Sequence, residues 1–402
     1  MRLRPFYRDS LLAVGVGTAG VLPGFLVGSL SLQIRADLGG TLAAVGAGVS
    51  VFFAAGALAA GPLGRVTERV GALTSMRLAG LVSGIAMLLM AGLGTSLPLL
   101  MVFLALAGVA NGAAQPAVNL FMAQEVDMRR QGFAFGLKQS AIPAATTIGG
   151  LALPLLALPF GWRPTVAVCG ALALCMAFIT RRRSRTVSAA AVEAAQSSER
   201  LPLSLPLMLL AVGAACSSFA PGALAAYLVA TSVDAGIAEG TAGVVLAAGS
   251  AASLVVRIGL GIRADRKSDY GFTMVVVLLA AGSIGFFLLA TAEPAPLLVG
   301  ACIAFAFGWG WPGLFNMAVV NRWRMAPAAA TGVTQAGIYV GAAAGPLTYG
   351  LLSSALGYST AWLITASALV IAAFVIWLAQ TRFGSAESGT PSKGAEAGIR
   401  HI

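Results

Sequence analysis

The chain has 402 residues, of which 58% are hydrophobic and 10% charged, and its mean hydropathy is +0.89. Ordinary soluble domains are about 45–50% apolar, so this composition excludes a water-soluble globular protein. The formal charge of +11 raises a nucleic-acid reading, which the distribution of the basic residues removes below.

Taken in chain order, twelve apolar stretches reach the length of about 20 residues that a bilayer crossing needs. They fall near 11–33, 43–63, 73–94, 97–121, 133–158 and 161–180, then near 206–231, 242–262, 271–292, 296–319, 329–356 and 359–380. The first is too long for a cleavable signal, and eleven more follow it. With the N-terminus placed in the cytoplasm, 21 of the 25 Lys and Arg fall on that side. Only Arg35 and Arg163 lie on the other side, and Lys138 and Arg257 lie within spans. That asymmetry is the positive-inside pattern, so both termini are expected in the cytoplasm of a cell (inner or plasma) membrane, and the basic balance reports topology, not nucleic acid.

The chain also repeats itself. Gly161 in "FGWRPT" and Gly357 in "LGYSTA" are 196 apart, as are Gln139 in "GLKQSAI" and Gln335 in "GVTQAGI". Gly112 and Pro116 match Gly308 and Pro312 at the same offset, and Gly64, Glu68 and Arg69 match Gly261, Asp265 and Arg266 at 197. Six spans per repeat is an even number, so both halves share one orientation about an axis along the membrane normal. The expected division is an N-terminal bundle over 1–180, a polar cytoplasmic linker over 181–203, a C-terminal bundle over 204–381 and a disordered tail over 382–402.

The two charged loops that follow a span on the cytoplasmic side read Gly-x-x-x-acid-Arg. Gly64, Glu68, Arg69 and Gly71 form one copy, and Gly261, Asp265 and Arg266 the other. These loops, the twelve spans and the repeat together resemble the major facilitator superfamily. The first copy carries Glu for the usual Asp, and the second has Lys267 and Ser268 where an intervening residue and a closing Gly are usual. The resemblance implies an all-α membrane fold of two six-helix bundles related by pseudo-two-fold symmetry. It also implies a charge relay at these loops that stabilises one access state and is released in the other.

Ionisable groups inside a bilayer cost about 2.5–3.5 kcal/mol each on insertion scales, so Lys138 and Arg257 need a reason. Either they snorkel to the interface, or they line a cationic cavity with no acid within the spans to neutralise it. Arg257, four residues before the second signature glycine, resembles the arginine that handles the carboxylate in monocarboxylate-transporting relatives. Asn111, Gln115 and Asn119 recur every four residues and share one helix face. Gln139, Gln335, Tyr339 and Trp309 complete the expected lining; the amides serve equally well as helix-to-helix contacts. "GAAAGP" at 341–346 resembles an antiporter motif but lies in the eleventh span, and Gly108 stands where proton-coupled relatives carry Arg.

Other chemistries are excluded by what is missing. The single histidine is His401, so no His-based metal site or catalytic triad exists. The four cysteines, Cys169, Cys175, Cys216 and Cys302, are isolated within spans, and no phosphate-binding loop occurs. Ser140 and Lys138 are two apart on a helix and cannot face each other. The expectation is a monomeric secondary transporter, not an enzyme, with no cofactor. It moves a small organic anion, a carboxylate, with a coupling proton or an exchanged anion. A drug-type exporter with an apolar cavity is the alternative, and a non-transporting sensor the remote one.

Overall fold

The computed structural model describes residues 3–125, 137–179, 204–266, 271–324 and 326–387, and among these there is no strand. Helices α1 (Leu3–Ser29) and α2 (Ser31–Leu38) meet at 66°. They are followed by α3 (Leu42–Val70), α4 (Ala72–Leu93), α5 (Leu97–Glu125), α6 (Leu137–Phe160) and α7 (Trp162–Ile179). The second half comprises α8 (Leu205–Asp234), α9 (Glu239–Arg266), α10 (Phe272–Leu289), α11 (Pro294–Arg322) and α12 (Pro327–Glu387). Among the described residues ten helices are long and apolar enough to cross a membrane, eleven when the bent α1–α2 pair is taken as one. The expected linker and most of the tail lie outside the described residues.

At 61 residues, a straight α12 would be about 90 Å long, three times the thickness of a bilayer core. It turns instead at Gly357, whose φ is 82°. Gly161, its repeat counterpart, turns the chain between α6 and α7 with φ 88°. Only glycine enters that region without a side-chain penalty, so the repeat seen in the letters is a repeated backbone event.

Helices in lipid have no hydrophobic drive toward one another, so they associate where small residues let backbones approach. Along α12, a Cβ at Gly337, Gly341 or Gly345 would overlap the carbonyl oxygens of Ala211, Ala215 and Phe219 on α8. The glycines of the "GAAAGP" stretch therefore form a packing seam within the second half. In the first half, Cβ atoms at Gly108 and Gly112 would likewise collide with the α3 carbonyls of Phe52 and Gly56.

The halves meet through α1 against α8, α3 against α12, and α6 against α9. These contacts concentrate at one end, the far end, opposite the end where α1 begins and α12 finishes. There Tyr227 Oη donates to the Leu42 carbonyl at 3.2 Å, and the Leu347 N–H donates to Ser50 Oγ at 3.0 Å. Gly28 packs on Ala225 and Ala226, and Gly150 on Gly243 and Ala247. Three turns further along the same helix faces, Gly61 on α3 and Ala336 on α12 are exposed, and a Cβ at Gly61 would meet nothing within 4 Å. The halves are thus closed together at the far end and splayed at the near end.

A polar staple secures the first half at the far end. Asp37 Oδ2 accepts from Trp162 Nε1 at 3.0 Å and from Arg163 Nη2 at 3.0 Å, while Arg163 Nη1 donates to the Ala91 carbonyl at 3.3 Å. The ion pair is about a third to a half exposed, which limits it to about 1 kcal/mol or less.

Candidate functional site

Between the halves, at mid-depth, lies a cavity with about 80 Å³ open to the centre of a water-sized sphere. At about 10–15 Å³ per water on that measure, it has room for roughly five waters or one small molecule. Seven of the expected lining residues come together here: Asn111 and Gln115 from α5, Lys138 and Gln139 from α6, Trp309 from α11, and Gln335 and Tyr339 from α12. Gln115 Nε2 donates to Asn111 Oδ1 at 3.4 Å. Asn119, on the same sequence stripe, is exposed and outside the cavity. The repeat-related pair Gln139 and Gln335 faces the cavity from opposite halves.

Two helix breaks shape this site. On α11 a π-helical turn, Ala304–Gly308, runs into a non-helical stretch at Trp309 to Trp311 before Pro312 restarts the helix. On α6 the first turn loosens at Ser140, and Pro143 follows. Proline has no N–H, so it cannot donate to a carbonyl one turn back. Pro143 stands at i+4 from Gln139 and cannot donate to its carbonyl, whereas the Trp309 carbonyl lies in the non-helical stretch before Pro312.

Arg257 takes up the carbonyls at both breaks. It is 2% exposed and does not line the cavity. Its Nε donates to the Trp309 carbonyl at 2.9 Å, its Nη2 donates to the same oxygen, and its Nη1 donates to the Gln139 carbonyl. The guanidinium also lies 5.7 Å from the Trp309 ring centroid, within cation–π range. Arg257 is therefore not among the residues that line the cavity, contrary to what the residue pattern suggests: carbonyl dipoles hold its donors behind the wall. Lys138, half-buried, is the cation that faces the space.

No Asp or Glu lines the cavity, and Lys138 has no carboxylate partner among the described residues. The rest of the wall is apolar apart from Ser218, with Phe25, Phe53 and Ile142 prominent. Phe25 packs edge-on to Phe53 at 5.7 Å and to Trp309 at 5.5 Å. These residues carry no separate signal in a chain that is 58% hydrophobic. The site thus combines one cation without a described carboxylate partner, several amides and an aromatic wall.

Of the loop residues, Gly71 has φ 89°, and its N–H bonds the Thr67 carbonyl at 2.9 Å, closing the α3 end. Gly64 is half-buried, with Pro116 atoms the nearest neighbours to a Cβ there. Glu68 and Arg69 are exposed and form no ion pair with another described residue. Gly261 is buried, whereas the side chains of Asp265 and Arg266 lie outside those described. Among the described residues no three His, Cys, Asp or Glu gather as a metal site.

Comparison with known proteins gives the following. The profile of the Major Facilitator Superfamily matches residues 12–329. A chloramphenicol resistance protein from Streptomyces lividans is 30% identical over 373 residues, covering 90% of this chain and 93% of that protein. The fold is similar to the crystal structure of a bacterial homolog of the human lysosomal transporter Spinster, in an inward-facing and occupied conformation. The TM-score is 0.71 at 16% identity, over 95% of this chain and 98% of that one.

Proposed function

The chain belongs to the Major Facilitator Superfamily, and we propose that it carries a small organic anion, of carboxylate type, by alternating access between its two halves. It is a multi-pass membrane transporter and not an enzyme. The observation that carries the anion reading is Lys138, a cation on the wall of a cavity with no acid among its described lining residues. An anion there relieves an unpaired charge and gains charge-assisted hydrogen bonds, with the amides of Asn111, Gln115, Gln139 and Gln335 as further donors. Arg257 adds positive potential from behind Trp309 without touching the ligand in this state. The small cavity suits a compact acid.

In this reading each arm of α12 is one crossing, which with the bent first span makes twelve. The chain acts as a monomer, and both termini are cytoplasmic, so the splayed near end opens to the cytoplasm. Reporter fusions at Ala190 and after Ala379 are expected to register cytoplasm, and an external signal at either would reverse the orientation. Glu68, exposed and without an ion pair to another described residue, fits a signature loop released in the cytoplasm-open state. With no acid among the described residues of the cavity wall, coupling is by anion exchange or by a proton shared with the substrate.

A second reading is favoured by the Streptomyces lividans relative, named for chloramphenicol resistance. In it the aromatic wall takes a lipophilic compound for export, and Lys138 merely reaches toward the near end. A thermal-shift screen of the purified protein against small carboxylates, inorganic anions and lipophilic neutral and cationic compounds separates the two, because a ligand raises apparent stability by mass action. Stabilisation by carboxylates alone is the expected result. Stabilisation by lipophilic compounds alone would replace the anion reading with export.

A further inference from the structure

Arg257 belongs to the second half and Gln139 to the first, so one of its hydrogen bonds crosses between the halves at the depth of the cavity. The other two hold the broken segment of α11 at Trp309. Its acceptors are backbone carbonyls at two helix breaks, and the one on Gln139 has proline at i+4, so it cannot simply return to a helical ladder. No described carboxylate pairs with this 2%-exposed charge. A guanidinium presents five N–H groups in a fixed plane, which lets it fork onto one oxygen and reach another.

We propose that Arg257 is a positioning residue that latches the α6 turn carrying Lys138 to the break in α11, and so holds the halves in the far-end-closed arrangement. Alternating access moves α6 against α9, because the two helices belong to different halves. A hydrogen bond tolerates only a few tenths of an ångström before it weakens, so the Gln139 bond belongs to one access state. Breaking it leaves a buried carbonyl without a donor, since Pro143 cannot supply one. The latch thus sets how far the resting protein favours one side and where Lys138 sits in it. This inference does not depend on which substrate is carried.

The test reads state populations without any ligand. Spin labels on Ala36→Cys and Ala238→Cys, both exposed at the far end on opposite halves, report its opening by pulsed dipolar distance measurement in a background lacking the native cysteines. Arg257→Met is expected to move the ratio of closed to open molecules about tenfold toward open, the size of one lost charge-assisted bond. Arg257→Lys keeps the charge but cannot fork, so it should behave like Met. Pro143→Ala restores an N–H to compete for the Gln139 carbonyl and should shift the ratio the same way, to a lesser degree, with every charge intact. It also provides the reading should Arg257→Met fail to fold. Wild-type distances in Pro143→Ala, or full restoration by lysine, would overturn the latch.

Discussion

Gly46→Ala is expected to drive the protein out of its far-end-closed state and to cut transport at least tenfold, while folded protein remains in the membrane. A methyl group there would occupy the place of the Tyr227 hydroxyl and approach the Pro346 carbonyl oxygen at 3.0 Å. The tyrosine has nowhere to go. It is 1% exposed, its ring packs at a tilt on Tyr349 with centroids 4.7 Å apart, and Tyr349 packs likewise on Trp362 at 4.4 Å. Trp362 is itself tied to Thr231 Oγ1 by a 3.2 Å hydrogen bond, and Gly350 confines the hydroxyl from its other side.

Overpacking of this kind costs about 1–3 kcal/mol, and the bond from Tyr227 to Leu42 adds about 1 kcal/mol when lost. Both penalties fall on the closed state alone, because opening the far end parts α3 from α8 and α12. A cysteine at Ser50, 7% exposed here, gives the readout by its labelling rate with a membrane-impermeant thiol reagent. Faster labelling together with slow transport is expected. Wild-type labelling and transport would mean that Tyr227 does not seal this end.

Much of this architecture is legible in the letters because it rests on length, repetition and glycine. The apolar runs foretell helices, and Gly161 and Gly357 foretell the paired turns that their positive φ values make. Seven cavity residues are legible because a polar side chain in a membrane helix must face something other than lipid. Arg257 has the same signal, yet nothing in residue spacing says whether its donors point into a cavity or onto backbone. A clue was present in Pro143, whose missing N–H leaves the Gln139 carbonyl one turn earlier in need of a donor. Phe25 and Phe53 were invisible, since an aromatic in an apolar helix serves lipid, packing and ligand equally well. The "GAAAGP" stretch resembles a functional motif, but its glycines are occupied by close contact with α8.

The central claim is that the cavity is built around the charge of Lys138. Without a ligand, that charge is unpaired among the described residues and costs free energy. Lys138→Gln should therefore leave the empty protein at least as stable as the wild type. With an anion bound, removing the cation forfeits a charge-assisted contact in a partly desolvated site, about 3 kcal/mol, or roughly 100-fold in affinity. Lys138→Arg preserves the charge and should lose far less. Calorimetric titration of the anion identified by the stability screen into wild type and Lys138→Gln tests this most directly. The account predicts binding weakened about 100-fold in the glutamine variant, with no loss of apo stability. Equal affinity in the two proteins would contradict it.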